Sequence, residues 1–244
     1  MKGIVLAGGL GTRFHPVTTV VNKHLLDVYD EPMIHFPIRA LARAGVTEIC
    51  LVTGDELTQF KSLLGDGSHL GVRIEYSYQQ GERGIADAIG RAESFAGGSP
   101  VVVVLGDNIF QEDLTPYVER YREQEKGAML LLKECSFEDA KRFGVAEVRD
   151  DVIVGIEEKP SEPKSNYVVT GCYMYDARCF DFIRTLRPSP RGELEVTDLS
   201  NIYVEEGTMT YEVLSGWWTD AGTPASKLKA SILVALAKGV TFHP

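Results

Sequence analysis

Near the amino terminus, Leu6-Ala7-Gly8-Gly9-Leu10-Gly11-Thr12-Arg13 sets a run of glycines beside an arginine. Such a loop either turns the chain tightly or lets main-chain N–H groups approach phosphate oxygens with no side chain between them. It departs from two familiar phosphate patterns: Phe14 stands where G-x-G-x-x-G needs a third small residue, and no Gly-Lys-Ser/Thr is present. Lys23 follows in Asn22-Lys23-His24-Leu25-Leu26. A lone lysine is usually a solvated charge. Here, however, residues 1–26 hold Lys2, Arg13 and Lys23 and no carboxylate, in a chain whose net charge is -10. Positive charge gathered in one segment of an acidic protein suits a small anionic substrate. A nucleic-acid partner would need a broader basic stripe.

Two aspartates complement these cations. Asp107 stands just past Val101–Leu105, where open α/β sheets bind ligands, although an Asx-turn would also use it there. Asp220 lies far along the chain in Trp217-Trp218-Thr219-Asp220-Ala221-Gly222-Thr223. Magnesium typically takes one or two carboxylates plus phosphate and water, so this pair suffices for Mg2+. Gln79, in Gln79-Gln80-Gly81-Glu82-Arg83-Gly84, is either a surface glutamine or a donor–acceptor partner for a thymine or uracil imide. Glu157-Glu158-Lys159-Pro160 reads by itself as a charged turn, and Arg191–Asp198 as a loop that starts a helix. Four scattered cysteines, Cys50, Cys135, Cys172 and Cys179, include no C-x-x-C pair and suggest neither a zinc site nor a disulfide framework.

The elements that must position these groups alternate. Strands are expected at Gly3–Leu6, Glu48–Val52, Arg73–Tyr78 and Val101–Leu105, with helices at Met33–Ala44, Thr58–Leu64 and Ile85–Phe95. This rhythm predicts an α/β fold: a Rossmann-like, mostly parallel or mixed central sheet flanked by helices. Val145–Val148, Val152–Glu157, Val168–Tyr175 and Met209–Val213 read as strands of a smaller β extension. Thr223 is placed to cap a terminal helix over 224–239, with Pro224 at its first position. The expected organisation is one domain over 1–244, with one half at about 1–125 and a second at about 126–222. No apolar run reaches the roughly 18 residues that cross a bilayer. The opening apolar stretch is too short and too glycine-broken for a signal peptide, so a cytoplasmic protein with no membrane partner is expected.

Taken together, Gly8-Gly9-Leu10-Gly11-Thr12-Arg13, Pro16, Thr18, Lys23-His24-Leu25-Leu26, Val28-Tyr29-Asp30 and Pro32-Met33-Ile34 resemble the signature of sugar-1-phosphate nucleotidylyltransferases. The match is nearest to members that join dTTP to glucose 1-phosphate, and it spans nearly the whole chain in five separated blocks. It implies that Gly8, Gly11, Thr12, Arg13 and Lys23 hold the triphosphate, that Gln79 and Gly84 contact the base, and that Asp107 and Asp220 bind the metal. It also implies that Glu158 accepts from sugar hydroxyls, that Lys159 holds the sugar phosphate, and that Asn108, Gly144 and Val169 line the same pocket. Catalytic work would fall to Arg13, Lys23 and Lys159. The phosphate acceptor needs little proton transfer, so His15 and His24 are not expected to act as acid or base.

Three positions depart from the pattern: Asp27 replaces a proline, Glu31 a lysine, and Asp87, in the base-binding region, a frequent glutamine. The extra C-terminal helical segment of long-form members is not matched, so their regulatory nucleotide site is not expected. Homo-oligomers are common in the family. The same residues admit UTP or another sugar 1-phosphate as substrate. A non-catalytic sugar-nucleotide sensor would instead be expected to have lost cations or carboxylates that are intact here.

Overall fold

A computed structural model describes residues 1–55 and 57–241. The first half contains β1 (Lys2–Ala7), β2 (Asp27–Val28), β3 (Glu31–Pro32), β4 (Glu48–Thr53), β5 (Arg73–Tyr78), β6 (Val101–Leu105) and β7 (Asn108–Phe110). The second half adds β8 (Ala128–Glu134), β9 (Gly144–Arg149), β10 (Val152–Glu158), β11 (Tyr167–Tyr175), β12 (Met209–Val213) and β13 (Trp218–Asp220). The helices among them are α1 (His35–Arg43), α2 (Leu57–Leu64), α3 (Ile85–Gly90), α4 (Glu93–Ala96) and α5 (Thr115–Arg122). They continue with α6 (Phe137–Ala140), α7 (Cys179–Thr185), α8 (Val196–Glu205) and α9 (Pro224–Ala237).

Strand β1 pairs in parallel with β4 and β6, and β4 with β5. Parallel neighbours need crossovers, which α1, α2 and the α3–α4 pair supply. Layers on both faces of this sheet explain why β6 is apolar at every position. Alternate residues of β1 enter opposite cores: Ile4 and Leu6 meet Ile89, Tyr173 and Leu199, while Val5 and Ala7 meet Ile38, Leu41 and Phe60. Antiparallel β11 then extends the sheet beside β6 and also pairs with β8 and β9. The result is one mixed nine-stranded sheet, ordered β10-β9-β11-β6-β1-β4-β5, with β8 and β12 branching from β11.

The expected α/β class and β extension are therefore present, with local differences. The helix expected over Ile85–Phe95 breaks after Gly90, the residue of lowest helix preference short of proline. The helix expected over Met33–Ala44 is shorter, at His35–Arg43. Strand β8, Ala-Met-Leu-Leu-Leu-Lys-Glu, carries no β-branched residue, and its composition fits a helix equally well. Its backbone is extended because β11 and β12 pair with its two edges. Helix α9 starts as expected, with Pro224 at its first turn and a reciprocal cap between Thr223 and Ser226. It is fastened across the β2–β3 turn by Lys227 Nζ to the Asp27 carbonyl (2.6 Å) and Lys238 Nζ to Asp30 (2.7 Å). Among the described residues no helix is long and apolar enough to cross a membrane.

Gly127 sits where β8 begins, with φ 109°, and a Cβ there would stand 2.2 Å from the Thr208 carbonyl oxygen. Gly155, in β10, has nothing within 4 Å of its would-be Cβ. Gly127→Ala is therefore expected to destabilise the fold by more than about 2 kcal/mol. Gly155→Ala should stay within about 1 kcal/mol of wild type, because it mainly restricts the unfolded chain. Urea unfolding of the two variants checks this contrast.

Candidate active site

Two adjoining cavities open beyond the carboxyl ends of β1 and β6. The first, of about 270 Å³, is lined by Gly8, Lys23, Gln79, Gly84 and Asp107 among others. The second, of about 160 Å³, is lined by Asn108, Gly144, Glu158, Lys159, Val169 and Asp220 among others. Ile85, Leu105 and Glu193 line both, so they form one cleft. Gly11, Thr12 and Arg13 lie outside both walls. Gly11 supports the loop from behind: its φ is 65°, and a Cβ there would meet the Lys23 Cβ at 3.0 Å. Thr12 and Arg13 are exposed on the short turn Thr12–Phe14, and the Arg13 charge is felt at Lys23.

Lys23 Nζ donates to Asp107 Oδ2 at 2.6 Å, with both side chains mostly buried. Burial alone would lower the Lys23 pKa, but the charge and hydrogen bond of Asp107 hold it above the ordinary lysine value. Burial likewise works against ionised Asp107, yet Lys23 keeps its carboxyl well below the usual range. His24 is pushed down to about 3, by burial first and by Lys23 second. A neutral, fully buried imidazole held by Asn22 Oδ1 at 2.8 Å fits its expected lack of an acid–base role.

Asp220 joins this pair through a short ladder. Strand β13 pairs antiparallel with β7, setting Asp220 opposite Asn108, and the Ala221 N–H donates to the Asp107 carbonyl at 2.8 Å. A Cβ on Gly222 would lie 2.7 Å from Asp220 Oδ1 and 3.2 Å from Asp107 Oδ2, so both carboxylates border a space that glycine leaves open. Burial, and then the charge of Asp107, raise the Asp220 pKa. Two hard oxygen donors with no third acidic, histidine or cysteine ligand grouped with them among the described residues suit Mg2+, which keeps waters and substrate oxygens in its shell.

The second cavity is built on hydrogen bonds that hold its walls. Asn108, fully buried, gives its amide N–H to Asp107 Oδ1 (3.1 Å) and accepts from Gly171 N (2.9 Å) and Trp218 Nε1 (2.6 Å). Glu158 Oε2 accepts from the Thr197 hydroxyl at 2.8 Å, and its other oxygen lies 3.3 Å from Lys159 Nζ. A Cβ on Gly144 would stand 3.4 Å from Glu158 Oε2. Lys159 has φ 47°, a left-handed conformation that is unusual outside glycine.

The loop before α8 also reaches the cleft: Arg191, Glu193 and Glu195 line it, and Arg191 Nη2 donates to Glu195 at 2.9 Å. By sequence alone this block reads as a loop that starts a helix, and its alternation of arginine and glutamates is the available signal of a further role. The loop also explains Gly84, whose φ is 96° and whose would-be Cβ would lie 2.3 Å from the Leu194 carbonyl oxygen. Leu194 clasps that segment by donating to the Arg83 carbonyl (2.8 Å) and accepting from Ala86 N (3.1 Å).

A family profile described as nucleotidyl transferase matches residues 2–235. The chain belongs to the nucleotidyl transferase family. It is 42% identical to a glucose-1-phosphate thymidylyltransferase of Neisseria meningitidis, across 98% of this chain and 84% of that protein. Another protein of that name, from Xanthomonas campestris, is 45% identical across 94% and 79%. A solved structure from Bacillus anthracis, provisionally named for the same activity and holding sucrose, superposes with TM-score 0.92. It is 48% identical and covers 100% of this chain and 98% of its own. A UDP-glucose pyrophosphorylase with UDP-glucose shares the fold at TM-score 0.84, with 23% identity over 97% of this chain and 98% of its own.

For this nucleotidyl transferase, two buried carboxylates side by side are a liability without a cation. Because its folded pKa is raised, Asp220 costs stability once ionised, and the cost grows as pH rises through that pKa. In EDTA at pH 7.5, Asp220→Asn should melt above wild type, by an amount worth about 1 kcal/mol or more. The gap should close as the pH is lowered towards 4, where Asp220 is already protonated. Thermal melts at the two pH values read both effects.

Proposed function

We propose that this chain transfers a thymidylyl group from dTTP to glucose 1-phosphate, giving dTDP-glucose and pyrophosphate with Mg2+ bound. The observation that carries the reading is the cleft itself. At one end Lys23 and the glycine loop stand beside a base-sized cavity, and at the other Lys159, Glu158 and Asn108 line a sugar-sized one. Asp107 lines the first and Asp220 the second. Relatives at 42% and 45% identity over most of their length carry the corresponding name. On this reading the nucleotide-binding half runs over about residues 1–125 and the sugar-binding half over about 126–222, with α9, which ends at Ala237 rather than the expected 239, on the β13 side.

The mechanism is an in-line displacement. A sugar-phosphate oxygen forms a new bond to the α-phosphorus as the bond to the β-phosphate bridge breaks, and pyrophosphate leaves with that electron pair. A phosphate monoester has its second pKa near 6, so the nucleophile is already largely dianionic and needs no base. Repulsion is the obstacle: unit like charges about 4 Å apart cost roughly 4 kcal/mol at an effective dielectric of about 20. Arg13 and Lys23 hold the triphosphate, with the amides of Gly8, Gly11 and Thr12 contributing main-chain dipoles. Lys159 and Arg191 hold the acceptor phosphate, and Glu158 and Asn108 orient the sugar while Gly144 and Val169 leave it room. Mg2+ on Asp107 and Asp220 would supply further charge neutralisation at the phosphates. Fixing both reactants in line accounts for much of the remaining acceleration.

Pyrophosphate release across nucleotides and sugar phosphates tests the reading, and dTTP with glucose 1-phosphate should give the highest kcat/KM. Asp107→Asn should cut kcat by about 10³-fold or more, while sugar-phosphate affinity changes only a few fold. Release with no pairing of nucleotide and sugar phosphate would refute the proposed reaction.

A further inference from the structure

Behind Gln79, outside the cavity wall, lies a chain of buried polar contacts that the reaction itself does not use. Gln79 Nε2 donates to the Gly84 carbonyl (3.0 Å) and to Asp87 Oδ2 (3.0 Å). Asp87 is held in turn by the Arg91 fork, with Nη2 to Oδ1 at 2.8 Å and Nε to Oδ2 at 3.3 Å. Arg83 stands 3.7 Å from Oδ1. Gln79 is 7% exposed and Asp87 6%, so water does not substitute for these partners.

An ionised carboxylate accepts hydrogen bonds and cannot donate them. Burial opposes the Asp87 charge, but the Arg91 and Gln79 contacts keep its pKa below the ordinary aspartate value. The amide of Gln79 must therefore turn its NH2 end towards Asp87 and its oxygen the other way. That oxygen lies beside Gly8, which lines the same cavity as Gln79, 3.2 Å from where a Cβ on Gly8 would stand. A glutamine, frequent at position 87 in the family pattern, could donate as well as accept and would leave only the Gly84 carbonyl to hold the Gln79 amide in this orientation.

We infer that Asp87 is a positioning residue for base selection, locking the Gln79 amide so that the cleft offers an acceptor to a pyrimidine. It rests on the reading that Gln79 meets the base. Thymine and uracil carry N3–H, a donor, and satisfy that oxygen. Cytosine presents an unprotonated N3 and would set two acceptors face to face, which discriminates against it by about tenfold or more.

Asp87→Asn tests this. Arg91 has donors alone, so it claims the single oxygen of the new amide and turns its NH2 group towards Gln79, which leaves the Gly84 carbonyl alone to hold the Gln79 amide and lets it reverse. The ratio of kcat/KM for dTTP to that for dCTP should fall by about tenfold or more. The UTP-to-dTTP ratio should hold, since both bases carry the same imide. Asp87→Glu keeps a carboxylate and should restore the preference. Arg91→Leu should lower the melting temperature yet retain the preference, because Asp87 remains an acceptor, which separates positioning from general support. An unchanged dTTP-to-dCTP ratio in Asp87→Asn, or its loss in Arg91→Leu, would overturn the inference. If the wild type binds dTTP but releases no pyrophosphate, the proposed reaction fails while the inference is still read from dTTP and dCTP affinities in the same variants.

Discussion

The structure turns on the contact between Lys23 and Asp107, one cation and one anion 2.6 Å apart at the end of the central strands. In the proposed reaction each charge has a second partner: the lysine would hold phosphate and the carboxylate a divalent cation. Pairing them solves a problem for the ligand-free protein, because an unpaired buried charge costs several kcal/mol. It also makes the site responsive. On the proposed function, a triphosphate bound with a metal would offer each partner a new counter-charge, so the pair could separate without leaving either group bare. The acidic surface, net -10, is compatible with this because the anion's partners are local.

Backbone pairing, more than loop chemistry, sets the remaining geometry. Strand β6 ends at Leu105, and the chain turns through Asp107 into β7, whose antiparallel partner β13 arrives from the far end of the sequence carrying Asp220. Asn108 then ties three elements together, touching Asp107 on its own strand, Trp218 on β13 and Gly171 on β11. A Cβ at Gly171 would stand 2.5 Å from the Asn108 side chain, so glycine is what permits this approach. Asp107, Asp220 and the wall of the second cavity are consequently tied together, as the proposed in-line chemistry would require.

Much of this was legible in the amino-acid order, for identifiable reasons. The glycine loop and Asp107 follow strands with contiguous apolar patterns, which report the parallel sheet directly, and Lys23 opens a short turn in the basic segment. Asp220 was legible only as a second carboxylate far along the chain, and Lys159 through family resemblance alone. Their positions depend on a three-residue ladder and on a left-handed backbone at Lys159, which leave no periodic trace. Arg191 and Glu195 were passed over because alternating charges before a helix look like a solvated start, although tertiary packing against Gly84 folds that loop over the cleft. Strand β8 was missed because leucines and methionine carry no strand signature, and its two flanking strands supply what composition does not.

The most direct measurement is a crystal structure with dTDP-glucose and Mn2+, whose anomalous signal locates the metal. The account predicts a peak about 2 Å from oxygens of both Asp107 and Asp220. It also predicts Lys23 Nζ turned from Asp107 onto the diphosphate, with Lys159 on the opposite side. A diphosphate remote from Lys23 and Asp107, or an intact Lys23–Asp107 contact with nucleotide sugar and metal bound, would contradict it.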